Sequence, residues 1–167
     1  MRGHIAIESE EGHGTNVFLV LPFKLTEKTA DTKNEQAAKG HDIPKLKILL
    51  AEDDFTSLLA TQKLLERKGH TVTLAQDGQQ VLDLLREKNF DCILMDVQMP
   101  VMDGVEATKI IRSSNDFGSK KDTPIIALTA HAMDGDREKF LAKGMNDYIS
   151  KPVRMEGLEK ALSRITE

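Results

Sequence analysis

The architecture of this chain can be worked out from Phe90-Asp91-Cys92-Ile93-Leu94-Met95-Asp96-Val97-Gln98-Met99-Pro100-Val101-Met102-Asp103-Gly104. Its apolar first half has the length of a buried strand. That strand ends in a carboxylate, Asp96, where a turn containing Pro100 and Gly104 begins. Burying an unpaired charge is unfavourable, so this carboxylate needs partners from other parts of the chain. We therefore expect Asp96 to belong to a site that several segments build together.

Residues 46–167 alternate regularly between strand-like and helix-like segments. Short apolar or β-branched runs are followed by segments in which apolar residues recur at helical spacing. The predicted strands cover 46–51, 71–75, 90–95, 124–129 and 148–150, and the predicted helices cover 56–69, 81–85, 105–112, 134–142 and 154–166. Five such repeats with nearly continuous apolar strands predict an α/β domain, a doubly wound parallel sheet covered by helices on both faces.

The residues before this domain have a different character. Residues 24–45 are polar and read as a linker. Residues 1–23 contain two strand-like runs, at 4–8 and 15–21, joined by a glycine-containing turn. A lone hairpin is only marginally stable in water, so we expect residues 1–23 to be the severed end of a larger sheet.

Composition limits the classes of function. The chain has 167 residues, 40% hydrophobic and 30% charged, with a net charge of −4, which is typical of a soluble globular protein. No cluster of Lys and Arg indicates nucleic-acid binding, and no apolar run has the roughly 20 residues of a membrane span. Cys92 is the only cysteine, so no intrachain disulfide is expected, and a buried core position in a cytoplasmic protein fits.

Polar residues follow four of the five predicted strands. Glu52 and Asp53 come after the first strand, Asp96 ends the third, Thr129 ends the fourth and Lys151 follows the fifth. Ligands of open parallel sheets bind beyond the carboxyl ends of the strands. We therefore expect these five side chains to converge in one crevice.

The acidic members of this group have the chemistry of a phosphoryl-acceptor site. The Asp96 carboxylate can attack phosphorus and form an acyl phosphate. Glu52 and Asp53 are suitable ligands for Mg²⁺, which prefers carboxylate oxygens and keeps several waters. The backbone carbonyl of Gln98 is a further candidate ligand. Asp54, the next acidic residue, is instead expected to cap the following helix.

The other two members complement this chemistry. Thr129 can donate its hydroxyl to a phosphoryl oxygen, and the ammonium of Lys151 can balance phosphoryl charge. Lys151 precedes Pro152, and an X–Pro bond can adopt the cis form at a cost of only about 0.5–1 kcal/mol. Asp96, Thr129 and Lys151 are thus the candidate catalytic residues.

Together these segments closely resemble the receiver domain of response regulators, the CheY-like family, in residues 48–54, 94–104, 127–130 and 148–152. The resemblance implies a flavodoxin-like fold with strand order 2-1-3-4-5. It also implies that Asp96 accepts a phosphoryl group from a phosphohistidine and that Thr129 and Tyr148 form a switch pair. Of the two adjacent carboxylates, it implies that Asp53 lies deeper and matters most for Mg²⁺. His131 is expected to obstruct the water that would hydrolyse the acyl phosphate.

The N-terminal piece resembles the last hairpin of a histidine-kinase ATP-binding domain, in residues 3–9, 12–15 and 18–22. The nucleotide-binding segments of that family are missing, so this fragment is not expected to bind ATP. The order of the pieces implies a hybrid sensor histidine kinase, a transferase that can be membrane-anchored. Its partners would be a phosphohistidine donor domain and a downstream histidine phosphotransfer protein.

Three other readings remain open. A standalone response regulator would lack the kinase-like hairpin. A Mg²⁺-dependent phosphatase with an aspartyl nucleophile would need a second Asp two residues after Asp96, where this chain has Gln98. A flavodoxin-like FMN carrier would need a small-residue phosphate loop after the first strand, but the carboxylates of residues 52–54 would repel the FMN phosphate.

Overall fold

The computed structural model describes residues 4–10, 14–20, 43–130 and 136–166. The chain separates into two compact units, Met1–Lys39 and Gly40–Glu167. Most of the predicted linker, 24–42, lies outside the described residues, as does His131.

The first unit contains a two-stranded antiparallel ribbon. Strand β1 (His4–Glu10) pairs with β2 (Gly14–Val20), with His4 opposite Val20 and Glu10 opposite Gly14. The two strands predicted in this region are therefore present.

The second unit contains a five-stranded parallel sheet, as predicted. Its strands are β3 (Lys47–Ala51), β4 (Thr71–Ala75), β5 (Cys92–Asp96), β6 (Ile125–Thr129) and β7 (Asp147–Ser150). They lie in the order β4-β3-β5-β6-β7, which is the predicted 2-1-3-4-5 order of a flavodoxin-like sheet. The strands that follow β3 along the chain, β4 and β5, lie on opposite sides of it, so the strand order reverses there and a crevice is expected at the carboxyl ends of β3 and β5.

Five α-helices connect these strands. They are α1 (Phe55–Arg67), α2 (Gly78–Glu87), α3 (Gly104–Ser113), α4 (Asp136–Ala142) and α5 (Met155–Thr166). The Oδ1 atom of Asp54 accepts a hydrogen bond of 2.8 Å from the amide of Ser57, which confirms its predicted capping role. Helix α1 ends two residues before Gly69, whose φ of 85° is incompatible with a continuing helix.

One element was not predicted. Residues Asn115–Asp122 form a 3₁₀ segment that is kinked at Gly118. It buries Phe117, and the ammonium of Lys120 donates hydrogen bonds of 2.7 and 2.9 Å to the carbonyls of Leu85 and Arg86 at the end of α2. A mostly polar segment with a single buried aromatic has no periodicity that would have revealed it.

The core has two layers, one on each face of the sheet. The layer shared with α2 and α3 contains Leu49, Met95, Ala127 and Ile111, among others, and the layer shared with α1 and α5 contains Leu50, Leu94, Leu128 and Leu158. Successive strand residues point to opposite faces, so double coverage explains why the strands are apolar throughout. Among the described residues, no helix is long and apolar enough to cross a membrane.

Candidate functional site

The carboxyl edge of the sheet collects the polar residues that were predicted to converge. Glu52 follows β3, Asp96 ends β5, Thr129 ends β6, and Lys151 follows β7. Glu52, Asp96 and Thr129 are each less than one-tenth exposed, so the apolar strands carry buried polar groups at this edge. Such groups are stable only when they are paired.

Lys151 supplies this pairing for two carboxylates. Its Nζ atom donates hydrogen bonds of 2.6 Å to Asp96 Oδ2 and 2.8 Å to Glu52 Oε1. Burial by itself lowers the pKa of the ammonium, but the hydrogen bonds to Asp96 and Glu52 outweigh it and hold the pKa above its ordinary value. Lys151 is therefore a permanent cation at physiological pH. The peptide bond between Lys151 and Pro152 is cis.

Glu52 is the most deeply buried carboxylate of the site, with 1% of its surface exposed. Burial raises its pKa, the hydrogen bond from Lys151 opposes this shift, and the charge of Asp96 adds to it. Its Oε2 atom lies 2.7 Å from Nζ of Lys151 yet forms no hydrogen bond of acceptable geometry. This buried oxygen is therefore held by an ion pair alone, and a carboxylate oxygen can contact a second cation at the same time.

Asp96 is held by two different donors. Its Oδ1 atom accepts a hydrogen bond of 3.1 Å from the amide of Gln98, while Oδ2 accepts the bond from Lys151. The side chain of Gln98 is exposed, so its backbone is the part that contributes to the site. Both oxygens of the candidate nucleophile are thus oriented by fixed groups.

Three carboxylates could hold a metal ion. Oxygens of Glu52, Asp53 and Asp96 all lie within 4.8 Å of one another, with Glu52 and Asp96 buried and Asp53 exposed. The expectation that Asp53 lies deeper than Glu52 was wrong: the structure buries Glu52 and leaves Asp53 facing solvent. A buried pair with one oxygen lacking a hydrogen bond, beside an exposed third carboxylate, fits Mg²⁺, which binds a few carboxylates and retains waters.

The two residues predicted as a switch pair lie on neighbouring strands. Thr129 is 7% exposed, and its carbonyl accepts a hydrogen bond of 2.7 Å from the amide of Lys151. Tyr148 pairs with Ala127, two positions before Thr129, and its half-buried ring stacks on Phe140 of α4 at 6.0 Å between centroids. Tyr148 therefore connects the strand beside Thr129 to helix α4.

Two glycines support the site: Gly104, which the sequence indicated only as a turn residue, and Gly78, which it did not single out. A Cβ atom on Gly104 would lie 2.1 Å from the carbonyl oxygen of Asp96, so only glycine fits there. The amide of Gly78 donates a hydrogen bond of 3.0 Å to the carbonyl of Met102. Both glycines follow an Asp that caps the next helix, Asp77 and Asp103, and these Asp-Gly pairs are the turn signal that could have identified them.

This strand order, with an acidic cluster and a lysine at the carboxyl edge, is the arrangement of a CheY-like receiver. The family model for the response regulator receiver domain matches residues 48–163. The chain belongs to the response regulator receiver domain family.

Curated relatives include much longer signalling proteins. Hybrid signal transduction histidine kinase I of Dictyostelium discoideum is 45% identical over 131 residues, which cover 74% of this chain and 7% of that protein. Sensor protein EvgS of Escherichia coli is 35% identical over 166 residues, which cover 99% of this chain and 13% of that protein. The chain thus spans only a small part of these relatives.

Solved receiver structures are similar to about three quarters of this chain. The receiver domain of the sensor histidine kinase PA1611 from Pseudomonas aeruginosa, with a magnesium ion coordinated in its active site cleft, is 40% identical with a TM-score of 0.65. That match covers 74% of this chain and 99% of the other. The receiver domain of Ssk1 from Saccharomyces cerevisiae, in complex with the histidine phosphotransfer protein Ypd1, is 34% identical with a TM-score of 0.64 and coverages of 72% and 88%.

Proposed function

We propose that this chain is a phosphorelay receiver that transfers a phosphoryl group from a phosphohistidine onto Asp96 in a Mg²⁺-dependent reaction. One observation carries the proposal. Asp96 is a buried carboxylate whose two oxygens are oriented by Lys151 and by the amide of Gln98, beside two further carboxylates. A structural aspartate would not need this surrounding.

The reaction is a displacement at phosphorus. A carboxylate oxygen of Asp96 forms the new P–O bond as the P–N bond to the donor imidazole breaks, and the imidazole nitrogen keeps the electron pair. Lys151, already in contact with Asp96, balances the added phosphoryl charge. The hydroxyl of Thr129 donates to a phosphoryl oxygen. Mg²⁺ held by Glu52, Asp53, Asp96 and the carbonyl of Gln98 would neutralise charge on the phosphoryl oxygens.

Phosphorylation by a small-molecule donor tests this assignment. Incubation with acetyl phosphate and Mg²⁺ should add the mass of one phosphoryl group, and Asp96→Asn should abolish the gain. Asp83→Asn is a matched control, because Asp83 is an exposed carboxylate whose partner is Arg86 on the same helix. A full mass gain in Asp96→Asn would contradict the proposal.

The metal ligands can be tested separately. Because Glu52 is occupied by Lys151 while Asp53 is exposed, Asp53→Ala is expected to weaken Mg²⁺ binding more than Glu52→Ala. Unchanged Mg²⁺ affinity in Asp53→Ala would refute this role.

We further propose that the receiver is part of a hybrid histidine kinase in the cytoplasm, with the domain limits 1–23, 24–45 and 46–167. The relatives named as hybrid or sensor kinases and the antiparallel ribbon β1–β2 support this context over a standalone regulator.

A histidine phosphotransfer protein would then exchange phosphoryl groups with Asp96. Transfer of ³²P from a labelled phosphotransfer protein to this chain, but not to the Asp96→Asn variant, would support the exchange. A wild-type chain that takes up no ³²P would count against it.

A further inference from the structure

The loop between β5 and α3, residues 97–103, carries the backbone groups of Gln98 on which the proposed site depends. Within the loop, the amide of Met102 donates to the carbonyl of Pro100 at 2.7 Å. Val101 has a φ of 65°, a conformation that β-branched residues rarely adopt. Such a conformation persists only where surrounding contacts impose it, so contacts from outside must hold this loop.

One of these contacts comes from the start of α2, an element that supplies no residue to the acidic cluster. The amide of Gly78 donates to the carbonyl of Met102 at 3.0 Å. A Cβ atom on Gly78 would lie 2.8 Å from that carbonyl oxygen, 2.9 Å from Cγ of Met102 and 3.0 Å from Cβ of Ala107. The closest of these atoms belongs to the backbone and cannot rotate away.

Gly78 is not required for its backbone angles, since the glycines with positive φ among the described residues are Gly69, Gly118 and Gly144. Gly78 is the first residue of α2, and alanine could adopt its backbone angles without strain. What glycine provides at position 78 is space, which lets the loop lie directly against α2.

We propose that Gly78 is a positioning residue for the phosphoacceptor site. By holding Met102 at this distance, it sets the place of the loop and therefore of the Gln98 backbone, whose amide orients Asp96 and whose carbonyl is a proposed metal ligand. This inference rests on the proposed function for its metal readout, but the position of the Gln98 amide can be measured without any metal.

Gly78→Ala tests the inference. The added methyl group should push the loop away from α2, so the amide NMR signal of Gln98 should shift in the metal-free protein. The Mg²⁺ dissociation constant should rise about tenfold, the lower end of the range for groups that support a metal ligand. In the Gly78→Ala background, Met102→Ala removes one of the three close contacts and should move both values back towards wild type.

Gly157→Ala is the matched control, because a Cβ atom there would meet only Cγ2 of Ile149, at an ordinary 3.5 Å. It should leave the Gln98 signal and Mg²⁺ affinity unchanged. If Gly78→Ala does not fold, Met102→Ala alone replaces it, since this change adds no atom and removes the side chain lying over Gly78. It should loosen the loop and alter both readouts.

A folded variant of either kind with a wild-type Gln98 signal and wild-type Mg²⁺ affinity would overturn the inference. If wild type itself fails to bind Mg²⁺, the proposed function falls, and the Gln98 shift in the metal-free variant still decides whether Gly78 positions the loop.

Discussion

Lys151 carries the charge balance of the site, since its ammonium contacts two carboxylates that are almost fully buried. Lys151→Ala would leave Glu52 and Asp96 facing each other without a cation. We expect the metal-free variant to lose about 2 kcal/mol of unfolding free energy, below the 3–5 kcal/mol of a fully buried pair because Lys151 reaches solvent. Mg²⁺ should reduce this loss, since it supplies the missing positive charge.

Urea denaturation with and without Mg²⁺ measures both values. Lys109→Ala is the control, because Lys109 is an exposed lysine on α3 and its removal should change little. An equal loss for Lys151→Ala in the two conditions would show that the metal and the ammonium do not share the carboxylates.

His70 links stability to pH at the opposite edge of the sheet. It is buried, and its Nδ1 atom accepts a hydrogen bond of 3.2 Å from the amide of Leu46. Burial lowers the pKa of His70, and the charge of Lys68 lowers it further. As the pH falls, the unfolded chain therefore binds a proton at His70 before the folded protein does. The stability that neutral His70 contributes is complete above pH 6.5 and is lost as the pH falls from there towards the folded-state pKa.

We expect the free energy of unfolding to fall between pH 7.5 and 5, with a slope from His70 of at most about 1.4 kcal/mol per pH unit. His70→Gln keeps an acceptor but cannot titrate, so its profile should be flatter over this window. Parallel profiles for wild type and His70→Gln in denaturant titrations would argue against the link.

At the residue scale, the sequence predicted which side chains meet but not how deeply each lies. Asp96, Thr129 and Lys151 end or follow apolar strands, so their convergence follows from the topology of a parallel sheet. Glu52 and Asp53 are neighbours after the end of a strand, and adjacent side chains there point in different directions. Which of the two is buried depends on the path of the turn, which the local sequence does not specify and for which the resemblance gave the wrong residue.

At the element scale, the start of α3 is fixed by contact with the strand that carries Asp96. A Cβ atom on Gly104 would lie 2.1 Å from the carbonyl oxygen of Asp96 and 2.7 Å from Cγ of Met95. Gly104→Ala must therefore displace α3 or β5. We expect it to lower the free energy of unfolding by about 1–3 kcal/mol, the range for overpacking, and to slow phosphorylation by acetyl phosphate.

Thermal unfolding and the rate of mass gain measure these effects. Gly157→Ala, at a position inside α5 with room for the methyl group, should leave the rate unchanged and should not lower the stability, because alanine has the higher helix propensity. A Gly104→Ala protein as stable as wild type would mean that the helix start can move freely.

Helices and strands were predicted well where apolar periodicity was strong, and their ends shifted by one to three residues. The third strand begins at Cys92 rather than Phe90. Asp91 nevertheless forms two hydrogen bonds with Lys47 at the start of β3. Its amide donates to the carbonyl of Lys47 at 2.8 Å, and its carboxylate accepts from the amide of Lys47 at 2.7 Å. The 3₁₀ segment at Asn115–Asp122 could not be predicted, because it is specified by tertiary contacts of Phe117 and Lys120 rather than by a repeating pattern.

At the scale of the whole molecule, the phosphoacceptor edge connects to a surface formed by α4, β7 and α5. This surface contains a groove of about 580 Å³ whose lining includes Tyr148, Arg137, Arg154, Lys160 and Arg164. An acyl phosphate adds a charge close to −2, which should draw the Thr129 hydroxyl towards it and leave space for the Tyr148 ring. We expect phosphorylation to change the conformation of this surface.

Amide NMR spectra before and after phosphorylation should show shifts in residues 136–150, and Thr129→Ala should reduce them. Thr71→Ala is the control, since Thr71 is an exposed residue at the start of the edge strand β4. Phosphorylation would have to favour one conformation by about 5.5 kcal/mol to switch a strongly biased two-state equilibrium completely. Chemical shifts between those of the two states are therefore also consistent with the coupling. Shifts confined to residues 97–103 would rule out the coupling.

The burial of Cys92 has a practical consequence for such experiments. The only thiol of the chain is fully buried on β5, and burial, together with the charge of Asp91, raises its pKa far above the ordinary value. Thiolate is the reactive form, so the native protein should react with a maleimide orders of magnitude more slowly than the protein in denaturant. Glu138→Cys, at an exposed position on α4, would then accept a fluorophore at a single site. The chain can thus be labelled for optical detection of the α4 movement without first removing its natural cysteine.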